Sequence, residues 1–339
     1  MWIDILLGAA VFAATSFLSW LLLRFLITKL REAKQVDEPN ERTLHQGSVP
    51  RGGGLVISLT MVLALFSATI MSTEKLFFSV FAVLMLGWTA LSWWEDRAEL
   101  APGVRFIPQL LFAVTTIAAF GWINQLAGVY LGLFGSAITL VGIIWMANLY
   151  NFMDGIDGLA ASQAIVASLT LAVWLYFLAN PILALVCVMV AAASYGFLLS
   201  NWQPAQIFMG DVGSVTLGAF FATLMIILET RHNVPVLSIM LVFGVFILDT
   251  SATVLLRIAR REPFWRPHRK HIYQRLVQSG LSHQIVTTSS IVLMLGCSAL
   301  ATISLTQHAM IVVFIVIEIA VYAVIWAYCH YRELNTISP

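Results

Sequence analysis

The sequence predicts an all-α, polytopic membrane protein built as one integral-membrane domain over residues 1–339. Composition is the first observation: 60% of the residues are hydrophobic and 10% are charged, against about 25% charged in a soluble globular domain. The second is that eleven apolar runs are long enough to cross a bilayer, which takes roughly 17–25 residues each. The third is that the polar segments between the runs are too short to form a soluble domain.

In order, the runs predict helices over 3–27, 54–72, 76–94, 105–123, 129–147, 158–178, 182–200, 213–229, 236–256, 284–304 and 309–328. The first has no basic leader and no small-residue cleavage site, so it reads as a retained helix. The sixth and seventh separate at Asn180-Pro181, a short break. Cys187, Cys297 and Cys329 sit in or beside apolar runs without paired spacing, which argues against a disulfide framework or a thiolate metal site. A net charge of +1 gives no nucleic-acid signal; the bilayer is the expected partner.

Segments after odd-numbered runs are long or rich in motifs: 28–53, 95–104, 148–157, 201–212, 257–283 and the tail 329–339. Those after even-numbered runs are little more than turns. Of 18 Lys and Arg, only Lys75 and Arg231 fall in the even segments. The positive-inside rule then sets the N-terminus outside and the C-terminus in the cytoplasm, with every motif-bearing segment, and so the active site, on the cytoplasmic face.

Each of those segments carries polar groups beyond what topology requires. The first ends in Arg51-Gly52-Gly53-Gly54, where successive backbone N–H groups at a helix start can face an anion. The second carries Glu95-Asp96-Arg97 and then Arg105; paired carboxylates there are either solvated surface or hard ligands for Mg2+. The third, 148–159, holds Asn148, Asn151, Asp154 and Asp157 with Gly155 and Gly158. Asn148, Asn151 and Asp154 share a face if the fifth helix continues into it. A connecting turn with a capping Asp explains one of these residues, but not the cluster.

The fourth segment reads Gly210-Asp211-Val212-Gly213-Ser214, with Asp211 either a helix cap or a metal ligand and the amides of Gly213 and Ser214 open to a phosphate. The fifth is basic, with Arg257, Arg260, Arg261, Arg266, His268, Arg269, Lys270, His271 and Arg275. It suits lipid headgroups, and its two histidines can also bond phosphate near neutral pH. Inside the spans remain Asp249 and Glu318; an intramembrane carboxylate is a functional candidate by default. Hard-metal ligands, anion sites and a basic segment on one face form the inventory for a diphosphate–Mg2+ substrate.

Five strings in order carry a resemblance: Asp37-x-Pro39-Asn40-x-Arg42-x-x-His45, Glu95-Asp96-Arg97, Asn148-x-x-Asn151-x-x-Asp154-Gly155-x-Asp157-Gly158, Phe208-x-Gly210-Asp211-x-Gly213-Ser214 and His268-Arg269-x-His271. Together they resemble the polyprenyl-phosphate N-acetylhexosamine-1-phosphate transferase family, and the first looks most like the branch that initiates O-antigen. The resemblance implies a bacterial inner-membrane enzyme that moves a sugar 1-phosphate from a UDP-N-acetylhexosamine to undecaprenyl phosphate and releases UMP. UDP-N-acetylfucosamine and UDP-N-acetylquinovosamine are the donors of the nearest branch. It implies Mg2+, with Mn2+ as a substitute, held by Asp211 with Asp96 beside it. Glu95, Asp96, Asp154, Asp157 and His271 become the catalytic candidates. Asn148, Asn151, Arg42, His45, Arg105, His268 and Arg269 become the substrate-binding ones. The chain departs from the family pattern at Glu95, where an Asp is usual, and at Tyr273-Gln274, where histidines are usual. A homo-oligomer is left open. The rival readings are a transporter of a phosphorylated or nucleotide-linked solute, and an enzyme acting on CDP-alcohols. The outward segments are too short for a second gate, and the Ala-Arg and downstream Asp spacing of the CDP-alcohol pattern is absent after Gly158.

Overall fold

The structure is a computed structural model, and residues 2–33, 36–37, 48–98, 102–263 and 268–337 are described. They form helices α1 (Trp2–Glu32), α2 (Gly54–Met71), α3 (Lys75–Ala98), α4 (Pro102–Phe120), α5 (Phe134–Phe152), α6 (Leu159–Phe177), α7 (Pro181–Asn201), α8 (Asp211–His232), α9 (Val236–Val242), α10 (Gly244–Ala259), α11 (Ile272–Gln278), α12 (His283–Ser304) and α13 (Ile311–Ile337). Among the described residues, ten helices are long and apolar enough to span a membrane, or eleven when the bent pair α9–α10 is counted as one span. Two short antiparallel pairs complete the fold: β1 (Val36–Asp37) with β2 (Val49–Pro50), and β3 (Gln125–Leu126) with β4 (Val129–Tyr130). The chain is a multi-pass, all-α membrane protein.

The bundle is organised around α8, whose residues from Asp211 to Leu228 are all buried. It packs against α2, α3, α4, α5 and α9. Hydrocarbon tails are as apolar as the helices, so packing must come from close fit, which small residues allow. Gly54 and Gly213 show this where α2 and α8 begin: a Cβ on either would collide with the backbone of the other. At the periphery α1 lies along α7, and α1 and α13 turn side chains such as Leu6, Phe17, Val316 and Val324 outward, as lipid-facing surface requires.

Several boundaries differ from the sequence reading. The ninth run is not one helix over 236–256 but α9 and α10, bent by 89° at Phe243. At the bend Gly244 leaves room for a neighbour: the Glu318 carboxylate of α13 packs where its Cβ would stand, at the start of α10. Glu318 thus has a structural place that the sequence did not supply. Glu95-Asp96-Arg97 is the last turn of α3 rather than a loop, and α8 begins at Asp211 rather than 213. The even segment after α4 is longer than a turn. It contains β3 and β4, and Glu229 of α8 ties it down by accepting the Asn124 and Gln125 amides at 3.0 and 3.2 Å. The break at Asn180-Pro181 is as expected: the Asn180 side chain caps α7 through the Leu183 amide, with Pro181 in the first turn.

Candidate active site

The start of α8 is where the polar segments converge. Its first amides need acceptors, and Gly210, at φ 75°, offers no side chain to serve. Asp96, from the end of α3, fills the gap: its Oδ1 accepts the Asp211 N–H at 3.0 Å and its Oδ2 the Val212 N–H at 2.9 Å. An anion at a helix N-terminus is also favoured by the helix dipole. The Gly213 and Ser214 amides donate to the Gly210 carbonyl. They are therefore not open to a phosphate, contrary to the sequence expectation. The same holds for the glycine triad: the Gly52 and Gly53 amides donate to the Phe208 carbonyl and Gly54 to Met209. These glycines dock two segments instead of cradling an anion.

Asp211 is buried, and its cap role falls to Asp96. Its Oδ1 accepts from Arg51 at 2.7 Å and from the Asn151 amide at 2.9 Å; its Oδ2 accepts from Arg105 at 3.0 Å. Arg51 also lies 3.0 Å from Asp96. The stretch before α2 and helices α3, α4, α5 and α8 therefore meet through two carboxylates, two guanidiniums and an amide. Asn148 sits one turn earlier on α5 and donates to Gln109 of α4 at 3.0 Å. The Gln109 side chain also lies beside Glu95. Glu95 is 1% exposed, and its Oε1 has no hydrogen-bond partner among the described residues.

The two aspartates after α5 have different surroundings. Asp157 is held on every side: Oδ1 faces His283 Nδ1 at 3.2 Å, Oδ2 accepts the Ala205 amide at 3.1 Å, and its carbonyl accepts the Thr287 hydroxyl. Next to it the Gly158 amide donates to Asn201. Asp157, grouped with the catalytic candidates in the sequence, here holds the turn against α7 and α12. Asp154 has no hydrogen bond on its carboxyl among the described residues. Part of its surface still reaches solvent, but loss of water around the group pushes its pKa well above the usual carboxylate range. Arg51 opposes that rise, and Asp211, Asp96 and Asp157 add to it.

The basic segment approaches through α11. Its N-cap, His271, is 2% exposed and places Nδ1 3.2 Å from Asp249 Oδ1. Asp249 also accepts the Ile272 and Tyr273 amides at 3.0 and 3.2 Å. One intramembrane carboxylate thereby caps α11 and fixes the imidazole, leaving Nε2 for a ligand. The Tyr273 hydroxyl donates to the Phe152 carbonyl at 2.8 Å, and a Cβ on Gly155 would collide with it. The departure from histidine at 273 is thus a docking group that ties α11 to the Asp154 turn. His268 packs 4.8 Å from His271, ring centre to ring centre. Loss of water, then the His271, Arg257 and Lys270 charges, push its pKa down to about 4. It is neutral at pH 7. Arg269 lines a basic pocket whose walls include none of Asp96, Asp154 or Asp211.

Arg42 and His45 lie outside the described residues. The sequence reading gave no role to Arg51, Gln109 or Asn201, and it left Asp249 without a partner. Arg51 had one signal, its place immediately before the glycine triad at the mouth of a helix.

Among the described residues no group of three His, Cys, Asp or Glu side chains forms a ready metal cage. Mg2+ does not need one: it is commonly held by one or two carboxylates, water and substrate phosphates. The donor set fits a hard cation, with the carboxylates of Asp211 and Asp96, the unbonded carboxyl of Asp154 and the orphaned Glu95 Oε1.

Fold and site together define a multi-pass membrane protein equipped, at one end of its helix bundle, to handle phosphorylated compounds. Residues 78–229 match the family model described as glycosyl transferase family 4. The chain is 30% identical over 262 residues to a probable undecaprenyl-phosphate N-acetylglucosaminyl 1-phosphate transferase of Bacillus subtilis (strain 168), covering 74% of this chain and 72% of that protein. It is 24% identical over 314 residues to the undecaprenyl-phosphate alpha-N-acetylglucosaminyl 1-phosphate transferase of Escherichia coli (strain K12), covering 86% and 84%. It is 27% identical over 290 residues to a phospho-N-acetylmuramoyl-pentapeptide-transferase of Chlamydia caviae, covering 74% and 81%. The chain belongs to the polyprenyl-phosphate N-acetylhexosamine-1-phosphate transferase family, glycosyl transferase family 4.

Proposed function

We propose that the protein transfers an N-acetylhexosamine 1-phosphate from a UDP-sugar to undecaprenyl phosphate, releasing UMP, at the cytoplasmic face of a bacterial inner membrane. The observation that carries this reading is the Asp96–Arg51–Asp211–Arg105–Asn151 cluster with the unbonded Asp154 beside it. Guanidiniums interleaved with carboxylates suit a diphosphate and its counter-cation.

The acceptor phosphate has a second pKa near ~6 and is mostly dianionic at pH 7. It needs no base. Its oxygen attacks the β-phosphorus of the UDP-sugar and forms the new P–O bond. The bond from that phosphorus to the bridging oxygen breaks, and the electron pair leaves with UMP. Arg51 and Arg105 stand at the acidic cluster and exchange carboxylate oxygens for phosphate oxygens when substrate enters. His271, held by Asp249, offers Nε2 to a phosphate oxygen. Asn148 and Asn151 fix the α5 wall against α4 and α8. Asp211, with Asp96 and Asp154 near it, would hold Mg2+, which when bound supplies positive charge to the diphosphate oxygens.

The donor sugars we favour are UDP-N-acetylfucosamine and UDP-N-acetylquinovosamine, with an O-antigen-type polymer downstream. Support comes from the likeness of the first segment to that branch. The relatives in Bacillus subtilis and Escherichia coli are named for N-acetylglucosamine, so UDP-N-acetylglucosamine is the comparator. One anhydride replaces another, so UMP drives the reaction backward. The test is exchange of labelled UMP into each UDP-sugar with purified protein, undecaprenyl phosphate and Mg2+. Exchange with a UDP-N-acetylhexosamine, absent without the lipid, is expected. No exchange with any of the panel refutes the activity, and exchange with N-acetylglucosamine alone refutes the sugar assignment.

A further inference from the structure

One polar stretch takes no part in the five strings or in the proposed reaction, the tail after residue 328. In the structure it continues α13, which has 27 residues and ends at Ile337, against about 20 needed to cross the hydrocarbon. The last turns therefore stand clear of the span, and two of their side chains grip α11. Arg275 of α11 donates through Nε to Glu333 Oε1 at 2.7 Å and through Nη2 to Glu333 Oε2 at 2.6 Å. Arg332 donates through Nε to the Ser279 hydroxyl at 3.2 Å and through Nη2 to the Ser279 carbonyl at 3.0 Å. Ser279 is the C-cap of α11.

A helix of seven residues does not keep its own shape, since isolated helices below ~12–15 residues are marginal in water. Its place is set by its neighbours. Asp249 of α10 and the Phe152 carbonyl hold its first turn, through the Ile272 and Tyr273 amides and the Tyr273 hydroxyl. The tail of α13 holds its second turn and its C-cap. Gripped at one end, a short rod still swings about that end. A second grip at Arg275, whose amide bonds the His271 carbonyl at 2.9 Å, fixes tilt and rotation together. An isolated exposed ion pair holds little. This one is two-pronged, the geometry in which Arg–carboxylate pairs are strongest, and its side chains are only 20% and 31% exposed.

We propose that Glu333 and its neighbour Arg332 are positioning residues for the transfer: the tail of α13 clamps α11 and so keeps the His271 imidazole aimed at the reacting phosphate. The role depends on the reading in which His271 offers Nε2 to a phosphate oxygen. Arg275 is the other jaw of the clamp rather than a phosphate ligand, because its Nε and Nη2 are both engaged by Glu333. The last spanning helix, which carries none of the five strings, is thereby part of the scaffold of the site.

The experiment measures UMP release by the purified full chain, with hydrogen exchange of α11 read in parallel. Glu333→Ala should quicken exchange across Ile272–Gln278 and lower kcat about tenfold, within the ~10²-fold that a misplacement of about 1 Å can cost. KM for the UDP-sugar should change by less than about twofold. Added to His271→Gln, Glu333→Ala should cost nothing further, because both changes act through one group. A loss of stability unrelated to His271 would not vanish in that background. Where Glu333→Ala fails to fold, Arg275→Lys, which keeps the charge but loses the fork, takes its place with the same expected signs. Exchange and kcat unchanged in a folded variant overturn the clamp. So does a kcat loss that persists in full beside His271→Gln, and so does a rise in KM alone. A parent chain that releases no UMP from any donor refutes the reaction itself, and is told apart from a failed clamp because there the parent is active.

Discussion

Replacing Asp249 by Asn tests the least anticipated part of the site. The carboxylate accepts four hydrogen bonds: the Ile272 and Tyr273 amides at 3.0 and 3.2 Å, His271 Nδ1 at 3.2 Å and the Thr253 hydroxyl at 3.3 Å. Asn keeps the shape but has one acceptor oxygen. The Ile272 amide, the shortest contact, keeps that oxygen, and the Tyr273 amide then faces an NH2 group. A hydrogen bond to a charged group contributes about 1.5–3 kcal/mol. The His271 contact falls on that same retained oxygen but loses the negative charge; it is longer than the ~2.7–2.9 Å of a strong charged pair, so the lower figure is the ceiling and kcat should fall by up to about tenfold. His271→Gln should lose more. In the double variant the loss should equal that of His271→Gln alone, because both changes remove one unit. UMP release measures the rates, and hydrogen exchange at Ile272 and Tyr273 reports whether α11 stays seated. Multiplicative losses, with α11 seated in every variant, refute the dyad. A fall in KM-dependent rate alone, with kcat intact, refutes its link to the reacting phosphate.

Other outcomes follow from the same geometry. Asp157→Ala should leave the His283 ring and the Ala205 amide without their acceptor, and lower stability by about 1–3 kcal/mol per unsatisfied buried group; a thermal-unfolding midpoint equal to the parent's removes the holding role. Gly155→Ala should push Tyr273 from the Phe152 carbonyl and reduce UMP release, and adding Tyr273→Phe, which deletes the colliding hydroxyl, should restore part of it; no rescue would show that the collision is not the cause. His268 carries a pKa of about 4 in the folded protein, below the ~6.5 of an unperturbed ring. The unfolded chain therefore binds the extra proton between these values. Stability from the neutral ring is complete above about pH 6.5 and is lost as pH falls toward 4. His268→Gln should flatten that part of the profile of unfolding temperature against pH, and an unchanged slope counts against it. Chelation should abolish UMP exchange and Mg2+ restore it, with Asp211→Asn unresponsive to added Mg2+; exchange that persists in chelator removes the metal from the reaction.

Much of this molecule was readable in order along the chain. Apolar run length located the spans because a bilayer admits only segments that satisfy their own backbone. Clustering of Asp, Asn and Gly in 148–159 and of Gly and Asp in 210–214 marked the site, since such groups are costly beside hydrocarbon without a purpose. The partners of those groups were not readable. The glycine triad looked like an anion nest, but its amides were already taken by Phe208 and Met209, residues about 155 positions away. Asp211 could be read as a cap or as a metal ligand, and the cap is Asp96 on another helix.

By itself the sequence determined that this is a many-helix membrane protein with a polar face of carboxylates, amides and cations, because burial in lipid is a local property of each segment. Only the tertiary structure decided what each polar group does. It divided Asp154 from Asp157, alike in the sequence, by surrounding one with His283, Ala205 and Thr287 and leaving the other unbonded. It gave Asp249 to His271 and Glu318 to the bend at Gly244. A carboxylate in a low-dielectric bundle takes its role from the donors within about 3 Å of it. Helix packing, which joins residues far apart in the chain, is what brings those donors there.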